Sequence, residues 1–365
     1  MLSSLLNVLS GDYYTYYNFN FNYYKKILQF VPQDTKTIND SLYNKESDLV
    51  KAIAHFCTNN TNNNKFIISL SGGIDSMVLI SIIHYLGYEV IGLHINYNNR
   101  LETKQEQEFL TQWCNYNKIK LYTKVIEDIK RNNSKRSQYE FITKKIRFDF
   151  YKEIMEKENV GLVLLGHHKD DIVENIFANV CRGRYILDLA VIKETSIIEN
   201  VNIARPMIDF YKKTIYDFAD KYQVPYFKDT TPTWSVRGKY RNEIYPKIED
   251  AFTPNVKENL IGLSKQSFEW NNLIQDKVIE PMLSEVKYFD STITFNIEKY
   301  KEYPLCFWNV VFMKLFNKYS FGCPSRKGIQ TFMNAIMKES NHLVNISLSN
   351  NCTTSLKKNN IIITF

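Results

Sequence analysis

A short apolar, β-branched run, Phe66-Ile67-Ile68-Ser69-Leu70, ends in Ser71-Gly72-Gly73-Ile74-Asp75-Ser76 and gives way to an apolar stretch reaching about Leu86, closed by Gly87. The first run has strand length. The second has helix length, with Gly87 as a natural C-cap. A buried strand feeding straight into a helix is half of a βαβ unit, and such units build parallel sheets covered on both faces. The turn between them has the chemistry of a phosphate cradle. Two glycines let backbone approach an anion, the serine hydroxyls donate, and the helix N-terminus brings partial positive charge. It lacks the Gly-Lys-Ser/Thr of a Walker A loop and the spacing of a dinucleotide fingerprint. A plain Ser/Gly turn with Asp75 as helix N-cap uses the same residues for a structural purpose.

The alternation continues. Tyr88–Ile95, Ile119–Ile126, Gly161–Leu165 and Asn202–Ala204 read as strands, interleaved with helices over Glu102–Asn117, Gln138–Lys157, Lys169–Cys181 and Tyr211–Tyr222. This predicts an α/β domain, a parallel sheet with helices on both faces, over residues 65–229. Residues 230–365 read as a smaller, mostly helical domain: helical patterns over Asn242–Lys287 and Tyr300–Lys338, then short strands at Leu343–Leu348, Thr353–Leu356 and Ile361–Phe365. Residues 1–64 read as an extension, with an almost purely Tyr, Asn and Phe stretch at Asp12–Tyr24, a helix-like segment near Glu46–Cys57, and a polar linker at Asn59–Asn64. Two domains suit 365 residues.

A net charge of +7 favours a polyanionic partner. The 44% hydrophobic content excludes global disorder. Met1–Ser10 has neither the basic start nor the apolar length of a signal peptide, and no Arg precedes Arg100, unlike Arg-rich transit peptides. The six cysteines are scattered, the nearest pair 17 residues apart, so no CxxC is present. These features predict a cytoplasmic protein without a membrane partner.

In open parallel sheets, ligands sit beyond the carboxyl ends of the strands, near the point where strand order reverses. At one such end stands Leu165-Gly166-His167-His168-Lys169-Asp170-Asp171-Ile172-Val173-Glu174-Asn175. Asp170, Asp171 and Glu174 in a first helical turn can hold Mg²⁺ against phosphates, accept a proton from an amine, or simply complement the helix dipole. His167 and His168 suit acid–base work, phosphate contact or hydrogen-bonded scaffolding. Arg182, Arg184, Arg205, Arg237, Lys239 and Arg241 form a basic set able to grip RNA phosphates, with Tyr and Trp faces for an unstacked base. A solvated basic face is the plainer reading.

Ser-Gly-Gly-x-Asp-Ser after the first strand resembles the pyrophosphatase-loop ATPases, which split ATP to AMP and pyrophosphate. Within that superfamily, His94-Ile95-Asn96-Tyr97-Asn98-Asn99-Arg100 is similar to the HxxHxLR stretch of tRNA(Ile)-lysidine synthetases. Glu140, Thr143, Lys144, Arg147 and Phe148 fall where that family has ExxARxxRY. The Gly166–Glu174 segment with Cys181-Arg182-Gly183 looks like its GHHxDDxxET…RG element, and Arg205-Pro206, Asp229, Arg241-Asn242 and Pro246 keep its order. The chain departs from the pattern at Tyr97, Asn99 and Tyr245, and across Trp234-Ser235-Val236-Arg237-Gly238-Lys239.

The resemblance implies an adenine nucleotide α-hydrolase-like, Rossmann-like fold and a ligase that forms a carbon–nitrogen bond. ATP would adenylate C2 of the wobble cytidine in a tRNA with a CAU anticodon, and free lysine would displace AMP to give lysidine. It implies catalytic roles for Asp75, Asp171, His167 and Arg205. ATP would be held by Ser71, Gly72, Gly73, Ile74, Asp75, Ser76 and His94, and Mg²⁺ by Asp75 and Asp171. The tRNA and amine would meet Arg147, Asp170, Glu174, Arg182, Arg237 and Arg241. A tRNA 2-thiolase of the same superfamily is the alternative enzyme, disfavoured by the missing CxxC; a non-catalytic nucleotide- or RNA-binding relative is the alternative of another class.

Overall fold

The computed structural model describes residues 47–365 apart from 62, 99–101, 127–135, 190–191, 228–234, 253–254 and 339–341. The aromatic stretch Asp12–Tyr24, Arg100, Asp229 and Trp234 lie outside the described residues. The described chain divides into two compact units, residues 47–178 with 192–261, and residues 179–189 with 262–365.

The first unit is built on β1 (Lys65–Leu70), β2 (Glu89–Asn96), β3 (Lys120–Val125), β4 (Val163–Leu164), β5 (Thr195–Ile198) and β6 (Val201–Ala204), in spatial order β3-β2-β1-β4-β6-β5. All neighbours are parallel except β5 and β6. Strand order reverses between β1 and β4, so their carboxyl ends flank the switch point. Around the sheet lie α1 (Asp48–Asn60), α2 (Ile74–Tyr85), α3 (Glu102–Tyr116), α4 (Arg136–Glu158), α5 (Lys169–Cys181) and α6 (Lys212–Tyr222). One core holds Phe66, Ile68, Met77, Ile80, Leu110 and Phe218; the other face buries Ile67, Ile91, Phe148, Tyr151 and Ile203. Such two-sided burial is why β1 and β2 read as continuous apolar runs.

Three sequence expectations change. Helix α1 is no part of a detached extension: Leu49, Val50, Ile53, Phe56 and Cys57 pack in the same core as α2, at the i, i+4, i+7 spacing of one helix face. The antiparallel strand β5 was not anticipated. It hairpins to β6 through Glu199 and Asn200, both at positive φ (49° and 61°), and the turn lacks the glycine that usually signals this geometry. The first unit also extends past residue 229, taking in α7 (Val236–Lys239), a π-turn at Tyr240–Ile244, α8 (Tyr245–Ala251) and the start of α9 (Val256–Ile274).

The second unit holds most of α9, α10 (Glu280–Ser284), α11 (Leu305–Lys318), α12 (Arg326–Ile336) and an antiparallel sheet of order β7-β8-β11-β10-β9. The last three strands, β9 (Val344–Ile346), β10 (Thr353–Lys357) and β11 (Asn360–Thr364), are the expected tail strands. The hairpin β7 (Lys287–Phe289) and β8 (Thr292–Asn296) is an addition, and it ends the predicted helix before Lys287. Its core is aromatic: Trp308, Phe312, Phe316 and Phe332 are fully buried. No helix of the described residues is long and apolar enough to cross a membrane.

Candidate active site

The loop after β1 is tied by its own side chains. Ser76 Oγ donates to Gly73 O (3.0 Å) and accepts from Ser71 N–H (3.2 Å), while Ser71 Oγ accepts from Gly73 N–H (3.2 Å). Gly72 sits at φ +83°, a left-handed conformation that side-chain-bearing residues rarely adopt, and its carbonyl accepts from Phe227 N–H at 2.9 Å. Ile74 is buried and anchors the first turn of α2, whose N-cap is Gly73. Asp75 is therefore inside the first turn rather than at the cap, and its carboxylate is a quarter exposed.

Behind this loop comes the end of β4. A Cβ on Gly166 would meet the Asp75 carbonyl carbon at 2.9 Å and Ser76 N at 3.0 Å, so glycine lets the two switch-point segments touch. Next along the chain, buried His168 stands among three carboxylates. Its Nε2 is 3.6 Å from Asp75 Oδ1 and 3.4 Å from Asp171 Oδ2, and its Nδ1 is 3.7 Å from Asp170 Oδ2. Neither ring nitrogen makes a hydrogen bond. Asp171 Oδ2 accepts the His168 backbone N–H at 3.1 Å, which fixes the carboxylate against the first turn of α5.

Each acid also meets a cation. Lys212 Nζ straddles Asp75, at 2.7 Å from Oδ1 and 2.5 Å from Oδ2. Asp170 accepts Lys212 N–H at 2.7 Å and Lys257 Nζ at 2.5 Å; burial pushes its pKa up, but these two donors outweigh it and hold the carboxyl below its usual range. Burial likewise opposes ionisation of Asp171, yet His168, His167 and Arg237 keep its pKa low. Arg237 pairs with Glu174 Oε2 (2.9 Å) and Asp171 (3.5 Å), and Arg241 with Glu174 Oε1 and Asp171 (3.4 Å). His168, Asp170, Lys212, Tyr216, Arg241 and Lys257 are among the residues lining a cleft of about 270 Å³.

Arg205 is buried at the end of β6. It donates from Nε to His167 Nδ1 (3.1 Å) and from Nη1 to Lys193 O (2.6 Å) and Ser196 Oγ (3.0 Å). Because a guanidinium only donates, His167 Nδ1 must accept and the ring proton resides on Nε2. Desolvation lowers the His167 pKa to about 4, Arg205 and Arg237 adding to it against an opposing Asp171. His167 is thus held neutral near neutral pH, with Nε2–H as its ring donor. His94 is buried at the end of β2; its Nδ1 meets Leu70 O at 2.9 Å, its Nε2 has no partner, and desolvation lowers its pKa.

Two predicted residues take no part in these contacts. Arg147, on α4, hydrogen-bonds Tyr97 and lies 5.2 Å from the Phe148 ring centre. Arg182 is exposed in the second unit. Lys212 and Lys257 were not singled out from the sequence, although a signal was there. Each falls in the first turn of a helix, where a cation opposes the dipole and needs a local anion to justify it. The π-turn carrying Arg241 also has a cause. Pro246 has no N–H and would clash with the carbonyl four residues back, and Tyr245 N–H bonds Tyr240 O instead, five residues back. Gln275–Ile279 repeats the device ahead of Pro281, with Glu280 N–H on Gln275 O.

A family model described as a PP-loop domain matches residues 45–248, more than half of the chain. The chain belongs to the PP-loop family. The match begins ahead of α1, in keeping with that helix packing in the first unit's core. Curated PP-loop relatives include the tRNA(Ile)-lysidine synthase of Enterococcus faecalis, 28% identical over 225 residues, which are 60% of this chain and 47% of that protein. That of Chlamydia muridarum is 26% identical, covering 61% of this chain and 69% of its own length, and that of Francisella philomiragia 29%, covering 62% and 56%. The chain thus spans about half the length of the Enterococcus and Francisella relatives. Among solved structures, the U34-tRNA thiolase NcsA of Methanococcus maripaludis aligns with a TM-score of 0.49 at 16% identity, covering 60% of this chain and 78% of that one.

Proposed function

We propose that the protein is an ATP-dependent tRNA-modifying ligase that converts the wobble cytidine of a CAU-anticodon tRNA(Ile) to lysidine, releasing AMP and pyrophosphate. The observation that carries this reading is the switch-point constellation. A serine–glycine loop heads α2, and Asp75 and Asp171 face the same imidazole edge. The similarity to lysidine synthases supplies the substrate class.

In this reading the loop Ser71–Ser76 and the N-terminus of α2 bind the ATP phosphates. His167 Nε2–H, oriented by Arg205, donates to oxygen charge developing at the α-phosphate as cytidine O2 displaces pyrophosphate. The lysine ε-amine then attacks C2 and AMP departs with the former O2. Among the described residues no group of three or more His, Cys, Asp or Glu is arranged to hold a metal ion. Asp75 and Asp171 fit Mg²⁺ in its usual way with nucleotides, as two carboxylates beside phosphate oxygens and water. Bound there, it would neutralise phosphate charge. Glu174 and Asp171, each met by Arg237 and Arg241, form the polar wall toward which cytidine and amine would approach; Arg147 on α4 and Arg182 after α5 are the proposed RNA contacts. A soluble cytoplasmic setting belongs to the same reading.

The test is ATP–pyrophosphate exchange with and without tRNA. Exchange that requires tRNA(Ile) with a CAU anticodon supports the reading; no exchange with any tRNA overturns it. Exchange without incorporation of labelled lysine overturns lysidine formation alone.

A further inference from the structure

The ammonium of Lys212 is the cation that meets Asp75, at 2.5 and 2.7 Å from its two oxygens. The pair is only partly buried, with side-chain exposures of 21% and 26%, and Lys212 is one of the residues lining the cleft. The same residue's backbone N–H is bonded to Asp170, which anchors its main chain, and a lysine ammonium sits on a flexible four-carbon stem. The stem leads past the Tyr216 ring, with Nζ 5.6 Å from its centre.

A polyphosphate with several negative charges cannot settle next to a bare carboxylate without a counter-charge. Nor can Asp75 ligate a cation while both of its oxygens are taken by Lys212. Both problems have one solution. We propose that Lys212 is a polyphosphate ligand that trades Asp75 for the β- and γ-phosphates when nucleotide binds, and thereby frees Asp75 for the divalent cation that enters with it. The exchange replaces one charge-assisted contact of an ammonium by another of the same kind, so little of the nucleotide's binding energy is spent in breaking the pair. When pyrophosphate leaves, Lys212 holds the departing charge, and return to Asp75 releases it. This inference rests on the nucleotide-binding part of the proposed function and on nothing about the RNA or the amine.

Binding alone tests it, by calorimetry on the full chain with ATP, pyrophosphate and AMP, each with and without Mg²⁺. Lys212→Met is expected to weaken ATP and pyrophosphate by about tenfold or more, leave AMP within about twofold, and be substantially rescued by Lys212→Arg. Asp75→Asn, which releases the lysine without removing it, is expected to tighten Mg²⁺-free pyrophosphate several-fold. Equal losses for ATP, pyrophosphate and AMP in Lys212→Met overturn the proposal, because a mere strap between helices would act so. Unchanged Mg²⁺-free pyrophosphate binding in Asp75→Asn overturns it too, even where Lys212→Met fails to fold. Binding of ATP by the unmodified protein reads the nucleotide part of the proposed function separately from these ratios.

Discussion

Adding one methyl group at Gly166 isolates the contact that brings the two halves of the switch point together. A Cβ there would lie 2.9 Å from the Asp75 carbonyl carbon, 3.0 Å from Ser76 N and 3.1 Å from Asp75 Cβ. Two of these three are helix backbone, which cannot rotate out of the way. Restoring an ordinary contact of about 3.4 Å requires the end of β4 and the start of α2 to part by roughly 0.5 Å. Overpacking of this kind costs about 1–3 kcal/mol. The displacement separates Asp75 from His168 and Asp171, and a misplacement of about 1 Å can cost on the order of a hundredfold in rate. Half of that implies about tenfold for Gly166→Ala. Gly161→Ala is the internal control, because nothing lies within 4 Å of its added Cβ; it is expected to change stability by less than about 0.5 kcal/mol. Urea unfolding of both variants, with turnover measured in parallel, makes the comparison. If Gly166→Ala matched Gly161→Ala in both stability and rate, the packing argument would be wrong.

Further outcomes follow from the charges. His167 has its pKa lowered to about 4, so the folded state binds fewer protons than the unfolded chain between about pH 6.5 and 4, and stability falls on acidification across that window. About 2.5 pH units at about 1.36 kcal/mol each give on the order of 3 kcal/mol, and His167→Asn should flatten the unfolding free energy there; an unaltered pH profile would refute the assignment. Arg205→Lys keeps the charge but not the fork that spans His167, Lys193 O and Ser196. It should cost about 1–3 kcal/mol of stability, and a thermal midpoint equal to wild type would count against it. Burial pushes the Cys57 and Cys114 thiols up to about 12, whereas Cys181, Cys306 and Cys323 are exposed. Native alkylation at pH 8 read by peptide mass spectrometry should mark those three and spare Cys57 and Cys114.

Much of the first unit is legible where one face pattern decides the element. The helix at Lys169–Cys181 is the one read from its periodicity, and the β1–loop–α2 segment announces itself by glycines and a break in apolar character. Short elements on an exposed edge give less. Ser196 and Ile198 in β5 are only half-buried, and the turn to β6 uses Glu199 and Asn200 at positive φ without a glycine. The β7–β8 hairpin has the same difficulty, since β7 is wholly exposed. In the candidate site, the acids were readable from their place in a first helical turn. What periodicity cannot carry is pairing across the chain: Lys212 reaches Asp75 over 137 positions and Arg241 reaches Glu174 over 67. The tautomer of His167 depends wholly on such a partner, Arg205, 38 positions away.

The central claim is the product. Unmodified tRNA(Ile) with a CAU anticodon, incubated with the protein, ATP, Mg²⁺ and isotopically labelled lysine, is digested to nucleosides and analysed by mass spectrometry, with Asp75→Ala alongside. The account predicts a wobble cytidine bearing the labelled lysine in the wild-type reaction and unmodified cytidine with the variant. Unmodified cytidine in both, or a sulfur-containing nucleoside in place of the lysine adduct, would contradict it.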